Sequence, residues 1–392
     1  MYLKLLKNPL FLKLSIVQLL VYFGSFFTSV AIYTLVLEFK VTPIQNALIV
    51  ASFSIPGLFG VINGSLVDKF NLQSFMRICL IFEILFTSLF LTITSPSQIY
   101  LLMIFIIFRM SFAFLFFTSQ MSLFPQIAKD ENDLKTINEL HSIIWSSTYA
   151  VGMSLGGIVV NYFGVYNTIK IDILLFIVAI TLFFTLKFNL KQKRKRKLKH
   201  LIIGGFRYLM KNPLLFKLMI LHSSVALTSF DTIINLLTDI NYKNIIAIPL
   251  AIGFLNGTRA FSLMIGPLFV SKYINRSNLH LFLSLQGILI IIWSFLKENF
   301  YLSLIWMLAL GFLTTTLWSY TYTLLQTKTK KEYLGRVVAY NDTVFMSVGI
   351  AVSYFSGYFY QKGFSLHSII TSLGVSFIIF GYYYYKKLRQ TV

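Results

Sequence analysis

The sequence predicts an all-α membrane protein, twelve transmembrane helices in two six-helix halves. Three observations carry that expectation. Long apolar stretches recur at roughly 11–37, 43–67, 75–94, 98–126, 136–162, 167–188, 213–240, 246–270, 279–296, 299–326, 336–361 and 365–385. Each is near or above the roughly 20 residues that cross a hydrocarbon core. Hydrophobic residues make up 57% of the chain and charged ones 12%, whereas about a quarter of a soluble domain is charged. Finally, positive charge falls in every second gap. Of 34 Lys and Arg, 27 lie at the termini or in the gaps between spans 2–3, 4–5, 6–7, 8–9 and 10–11. Only Lys40, Lys170, Lys243, Lys297 and Lys362 lie on the other side.

Because loops rich in Lys and Arg stay cytoplasmic, both termini are expected to face the cytoplasm, with an even number of spans between them. The net charge of +21 then describes the inner face of a membrane protein and gives no evidence for nucleic acid. The first apolar stretch is long and no small-residue cleavage site follows it, so it reads as a retained helix. Cys79 is the one cysteine, which excludes internal disulfides and a thiolate metal site. The five His residues are scattered without metal-ligand spacing. No cofactor is expected.

The longest polar segment divides the chain into an N-terminal half at 1–188, a basic linker at 189–212 and a C-terminal half at 213–392. Its run Lys191-Gln192-Lys193-Arg194-Lys195-Arg196-Lys197-Leu198-Lys199 suits anionic headgroups at the membrane surface. Leu198 to Met210 then mixes apolar and basic residues, a pattern for a short helix lying along that surface.

Local motifs sharpen the assignment. Gly64-Ser65-Leu66-Val67-Asp68-Lys69-Phe70 resembles the loop 2–3 signature Gly-x-Leu-x-Asp-Arg of the major facilitator superfamily. Asn71 stands where that signature has Gly, and Arg77 is the nearest substitute for its basic pair. Leu123-Phe124-Pro125-Gln126-Ile127, Ile171-Asp172-Ile173-Leu174-Leu175-Phe176, Gly205 to Leu214 and Leu334-Gly335-Arg336-Val337 are similar to one branch, the enterobactin and macrolide exporters. Gly152-Met153-Ser154-Leu155-Gly156-Gly157 resembles the fifth-span antiporter motif with Met153 in place of its proline; tight packing through small residues is the competing reading. The resemblance implies a secondary transporter of the bacterial inner membrane, acting as a monomer on a small molecule, with protons as the coupling ion. It also implies a gate built from Gly64, Asp68, Lys69, Arg77, Gly335 and Arg336, in which Asp68 meets the start of the eleventh span when the protein is open outward.

Ionisable residues inside a bilayer cost on the order of 3 kcal/mol and mark functional positions. The candidates are Glu83, Arg109, Asp231 and Arg259. At about 1.5 Å per residue, Arg109, Asp231 and Arg259 lie roughly 16, 14 and 19 Å deep, so they are expected to share one midplane layer. Asp231 is the expected proton-coupling acid and Glu83 the second candidate, with helix packing as the alternative for Glu83. Arg109 and Arg259 would bind substrate, or else lock helices together as buried ion pairs. Two Arg against one Asp would leave a positive field that favours an anionic, siderophore-like substrate over a cationic drug. Trp306, Trp318 and Tyr322 in the tenth span offer flat amphipathic rings to a bulky ligand. His222 reads as a packing histidine or a proton relay, and Asp172 and Asp342 as capping or interface residues near helix ends.

These features point to a proton-driven exporter working by alternating access, rather than an enzyme. No nucleophile–base set, paired acids or clustered His appear near one interface. A metal-ion exporter and a non-transporting sensor on the same fold remain the alternatives. Topology is directly testable. Reporter fusions at Lys195 and Lys243 should give opposite compartment signals, and matching signals would overturn the twelve-span arrangement.

Overall fold

The computed structural model describes residues 5–391 apart from 68–69, 189–197 and 331. Every described element is helical. Among the described residues ten helices are long and apolar enough to cross a membrane. The second and eleventh spans fall short of that criterion for different physical reasons. The second is broken into Pro43–Ser52, a 3-10 turn Ile55–Phe59 and Gly60–Val67; Pro56 cannot donate to the preceding turn. The eleventh, Leu334–Gln361, is one continuous helix that carries Asn341, Asp342, Thr343, Ser353 and Ser356, and its polarity reflects contacts with protein rather than lipid.

Chain breaks at helix ends follow local chemistry. Asn8 caps the first span, Pro9–Glu38. Thr42 and Gln45 form a capping box at the second, and Asp130 caps the fifth, Glu131–Phe163. Such caps satisfy the first backbone N–H groups of each helix. Between the halves the helix Leu198–Met210 forms where the amphipathic pattern placed it. It packs on the start of the eleventh span, where a Cβ on Gly205 would stand 2.9 Å from Arg336 Cβ.

Within each half a few pairs of spans make most of the contact. The first span lies on the fifth and on the sixth, Val165–Phe184, and the third, Leu72–Leu89, on the fourth, Ile99–Ile127. In the second half the eighth, Ile248–Val270, lies on the tenth, Phe300–Lys328, and the ninth, Leu279–Leu296, on the twelfth, Leu366–Tyr383. The halves meet along two seams, fifth against eighth and second against eleventh.

Small residues make the first seam. A Cβ at Gly157 would stand 2.5 Å from the Pro249 carbonyl, and one at Gly253 would stand 2.8 Å from Gly157 Cα. Without side chains the two helices approach closely enough for backbone to meet backbone. The Gly-rich stretch of the fifth span therefore works as a packing surface. On the second seam a Cβ at Gly357 would lie 2.4 Å from the Pro43 carbonyl, Ile44 N–H donates to Gln361 at 3.1 Å, and Asn235 donates to Asn46 at 3.1 Å.

All of these contacts lie toward the face opposite the chain ends. Toward the terminal face the halves also meet at Ser147 with Met264 and Thr343 with Leu58, and the eleventh span packs on Gly60–Val67. The protein is thus closed on the face opposite the termini. Gly157→Val should force the closed seam apart. In a Cys79→Ser background, a Cys introduced at Asn46 should then become reactive to a membrane-impermeant maleimide from the closed face. Protection equal to that of the parent would show that the seam tolerates the added side chain.

Candidate functional site

The buried charges separate into two clusters, one in each half. In the N-terminal half Arg109 pairs with Asp172 of the sixth span at 3.2 Å, with side chains 1% and 0% exposed. Arg109 Nε donates to Thr87 at 2.8 Å and Nη2 to Ser25 at 3.0 Å. Thr28 donates to Asp172 Oδ2 at 2.5 Å. Gly24 makes room for this carboxylate, since a Cβ there would collide with Asp172 Oδ1. The guanidinium also lies over the Phe176 ring, 5.6 Å from its centroid. Four spans thus converge on one ion pair.

Arg109 therefore does not join Asp231 and Arg259 in one cluster. Its charge is neutralised inside its own half, and it is sealed from the space between the halves. Asp172 does not cap a helix end: it lies in the interior of Val165–Phe184, where it supplies the counter-charge that the depth argument had not assigned. The two-Arg excess behind the expected anionic preference disappears with it. Glu83 lies beside this cluster. It is fully buried, one turn from Thr87, which donates to its backbone carbonyl at 2.7 Å, and within electrostatic range of Arg109 and Asp172.

In the C-terminal half Asp231 and Arg259 come together, at 3.4 Å. The seventh span is discontinuous here. Helix Pro213–Ser223 passes through a 3-10 turn, Ser224–Thr228, into a shorter helix, Asp231–Leu237. The break leaves the Thr228 carbonyl free of the helical ladder, and Arg259 Nη1 donates to it at 3.1 Å. Unwound backbone at membrane depth persists only where protein groups or a cavity satisfy it. Arg259 Nη2 reaches across the divide to Tyr149 of the fifth span at 3.0 Å. Tyr149 stacks on Phe26 of the first span, with centroids 4.8 Å apart. Tyr33, also on the first span, lies within electrostatic range of Asp231 and Tyr149. Arg259 is 9% exposed and Asp231 24%, so the acid is the more accessible partner.

The sequence missed Thr228, Tyr149 and the break itself. No Pro or Gly marks the break, and the polar cluster Ser223, Ser224, Thr228, Ser229 was its one trace.

The expected aromatic set divides as well. Trp306 turns away from the divide and donates to the Leu289 carbonyl of the ninth span at 2.6 Å. Trp318 and Tyr322 stay together, stacked at 4.8 Å with an interplanar angle of 15°. The expected gate is partly visible. Asp68 and Lys69 lie outside the described residues. Gly64 falls in helix Gly60–Val67. Gly335 has open space where a Cβ would point. Arg336 lies over the Tyr333 ring against the linker helix, and Arg77 lies over Phe184 within its own half. Among the described residues no group of three His, Cys, Asp or Glu lies together as a metal site would require.

This architecture has clear relatives. The family model "Major Facilitator Superfamily" matches residues 14–354, and the chain belongs to that superfamily. No curated protein sequence matches it. Among solved structures, it is similar to a bacterial homologue of the human lysosomal transporter Spinster in an inward-facing and occupied conformation, with TM-score 0.75, 12% identity and coverage of 97% and 96% of the two chains. It is also similar to the nucleoside transporter NupG, with TM-score 0.70, 15% identity and 96% of each chain covered. For a D-xylose–proton symporter the TM-score is 0.70 and the identity 11%, over 96% and 97% of the chains. At these identities the likeness is one of fold. The protein is a multi-pass membrane transporter of this superfamily.

Removing one member of the Arg109–Asp172 pair leaves an uncompensated buried charge, which costs about 3–5 kcal/mol. Asp172→Leu should therefore lower the thermal unfolding midpoint in detergent sharply. The double variant Arg109→Met/Asp172→Leu should recover most of the loss. Equal destabilisation by single and double variants would show that the ion pair itself is not the source.

Proposed function

We propose that the protein is a proton-coupled secondary transporter that exports a small amphipathic molecule by alternating access, with Asp231 as the proton-binding acid. Arg259 carries this reading. It holds Asp231 within its own half and Tyr149 in the other, so one guanidinium senses both a titratable carboxylate and the arrangement of the halves. Protonation of Asp231 removes its counter-charge. A buried cation without a partner is costly, so the closed junction beside Arg259 loses stability and the halves are driven to rearrange. The discontinuous seventh span supports the assignment, because broken helices near the midplane are where transporters of this kind bind substrate and coupling ions.

Export rests on the short motifs similar to the enterobactin and macrolide exporters rather than on the charge cluster. The paired Asp231 and Arg259 leave no excess positive field near the midplane, so an anionic substrate is not favoured. Anionic lipids are the expected partners of the basic linker.

Cells with and without the protein should differ in accumulated small molecules, and a protonophore should remove the difference. Asp231→Asn should remove it too while leaving wild-type amounts of protein in the membrane. Transport at the wild-type rate with unchanged pH dependence would make the Asp231–Arg259 pair structural.

A further inference from the structure

We infer that the C-terminal half carries a binding site for a planar organic cation, formed by Trp318, Tyr322 and Phe345 around His222 with Asp342 as the counter-charge. The inference rests on the transport reading above and specifies its substrate class.

The site is assembled from three spans. His222 on the seventh is fully buried, and its Nδ1 is 2.9 Å from Thr321 Oγ1 on the tenth. Around it stand Trp318 at 5.5 Å, Tyr322 at 5.2 Å and Phe345 of the eleventh span at 5.3 Å between ring centroids. The imidazole is a positioning residue that holds three other rings in one cluster. Trp318 is 37% exposed, and its stack with Tyr322 presents an aromatic surface rather than a sealed core. Counted along each helix, all four rings and Asp342 lie about 9–17 Å from the ends that face the termini. They therefore share one layer on the side of the molecule that carries the termini.

Asp342 makes the site selective for charge. It lies in the interior of the eleventh span, is half-buried and is within electrostatic range of Tyr322. Among the described residues no Lys, Arg or His pairs with it, and its one side-chain partner is the neutral amide of Asn341 at 3.3 Å. The other membrane-embedded aspartates of the chain, Asp172 and Asp231, each have an Arg. An unpaired carboxylate at membrane depth calls for a cation. Aromatic faces attract cations through the ring quadrupole and stack on flat π-systems. Carboxylate and rings together match a ligand that is both planar and positively charged.

The probes are proflavine, a planar cation at neutral pH, its uncharged relative acridine, and naphthalenesulfonate as a flat anion. Binding to the full-length protein in nanodiscs is read by tryptophan fluorescence quenching and by calorimetry. Proflavine should bind at least about tenfold more tightly than acridine, and the sulfonate should not compete with it. Asp342→Asn should reduce proflavine to the affinity of acridine while leaving acridine unchanged. Asp342→Glu should retain the preference, and Trp318→Ala should weaken both ligands. Equal affinity of the wild type for the cation and either comparator, or unchanged proflavine binding by Asp342→Asn, would overturn the site. The wild-type comparison decides the matter even if a variant fails to fold. Asp231→Asn should keep proflavine binding, since equilibrium binding needs no proton gradient. Loss of coupling and absence of this site thus give different results.

Discussion

The arrangement of this transporter depends on how a low-dielectric interior handles charge. Arg259 occupies a buried position where the halves meet, and a guanidinium cannot shed its proton there. It must be surrounded by acceptors, and the chain supplies three: the Asp231 carboxylate, the Thr228 carbonyl and the Tyr149 hydroxyl. Each has a structural consequence. The carboxylate ties the eighth span to the seventh, the carbonyl becomes available only because the seventh span is broken, and the hydroxyl ties one half to the other.

The same constraint acts differently in the N-terminal half. Arg109 is satisfied within its own bundle by Asp172, Thr87 and Ser25, and nothing in that set crosses the divide. Such a pair holds four helices in register as a unit. Two arginines at similar depth thus have separate tasks, one making a half rigid and the other linking the halves. Rigid halves joined along glycine-lined seams are the mechanical requirement for rocking about a central site.

The aromatic cluster around His222 adds a surface of another kind. It lies closer to the terminal face than the Asp231–Arg259 pair, and its carboxylate has no cation of its own. The two sites differ in what they offer. At the midplane charge is already balanced and responds to a proton, whereas the cluster presents flat rings beside unbalanced negative charge.

The all-helical membrane fold and the overall family were legible in the sequence because they follow from apolar length and short motifs. Those signals are local or additive along the chain. Asp231 with Arg259, and Trp318 with Tyr322, were also legible, since depth along a helix follows from counting residues. Direction around the helix axis was not. Whether Arg109 points toward the divide or toward the sixth span, and whether Trp306 faces the ninth span, depends on helix rotation. Packing sets that rotation, and near-uniform hydrophobicity hides it. The break in the seventh span was likewise hidden, because it exists only where Arg259 arrives from another helix to donate to the freed carbonyl. Residue types and depths were thus determined by the sequence alone. Which charges face each other was decided by the tertiary structure, since a buried charge selects its partner by proximity in space.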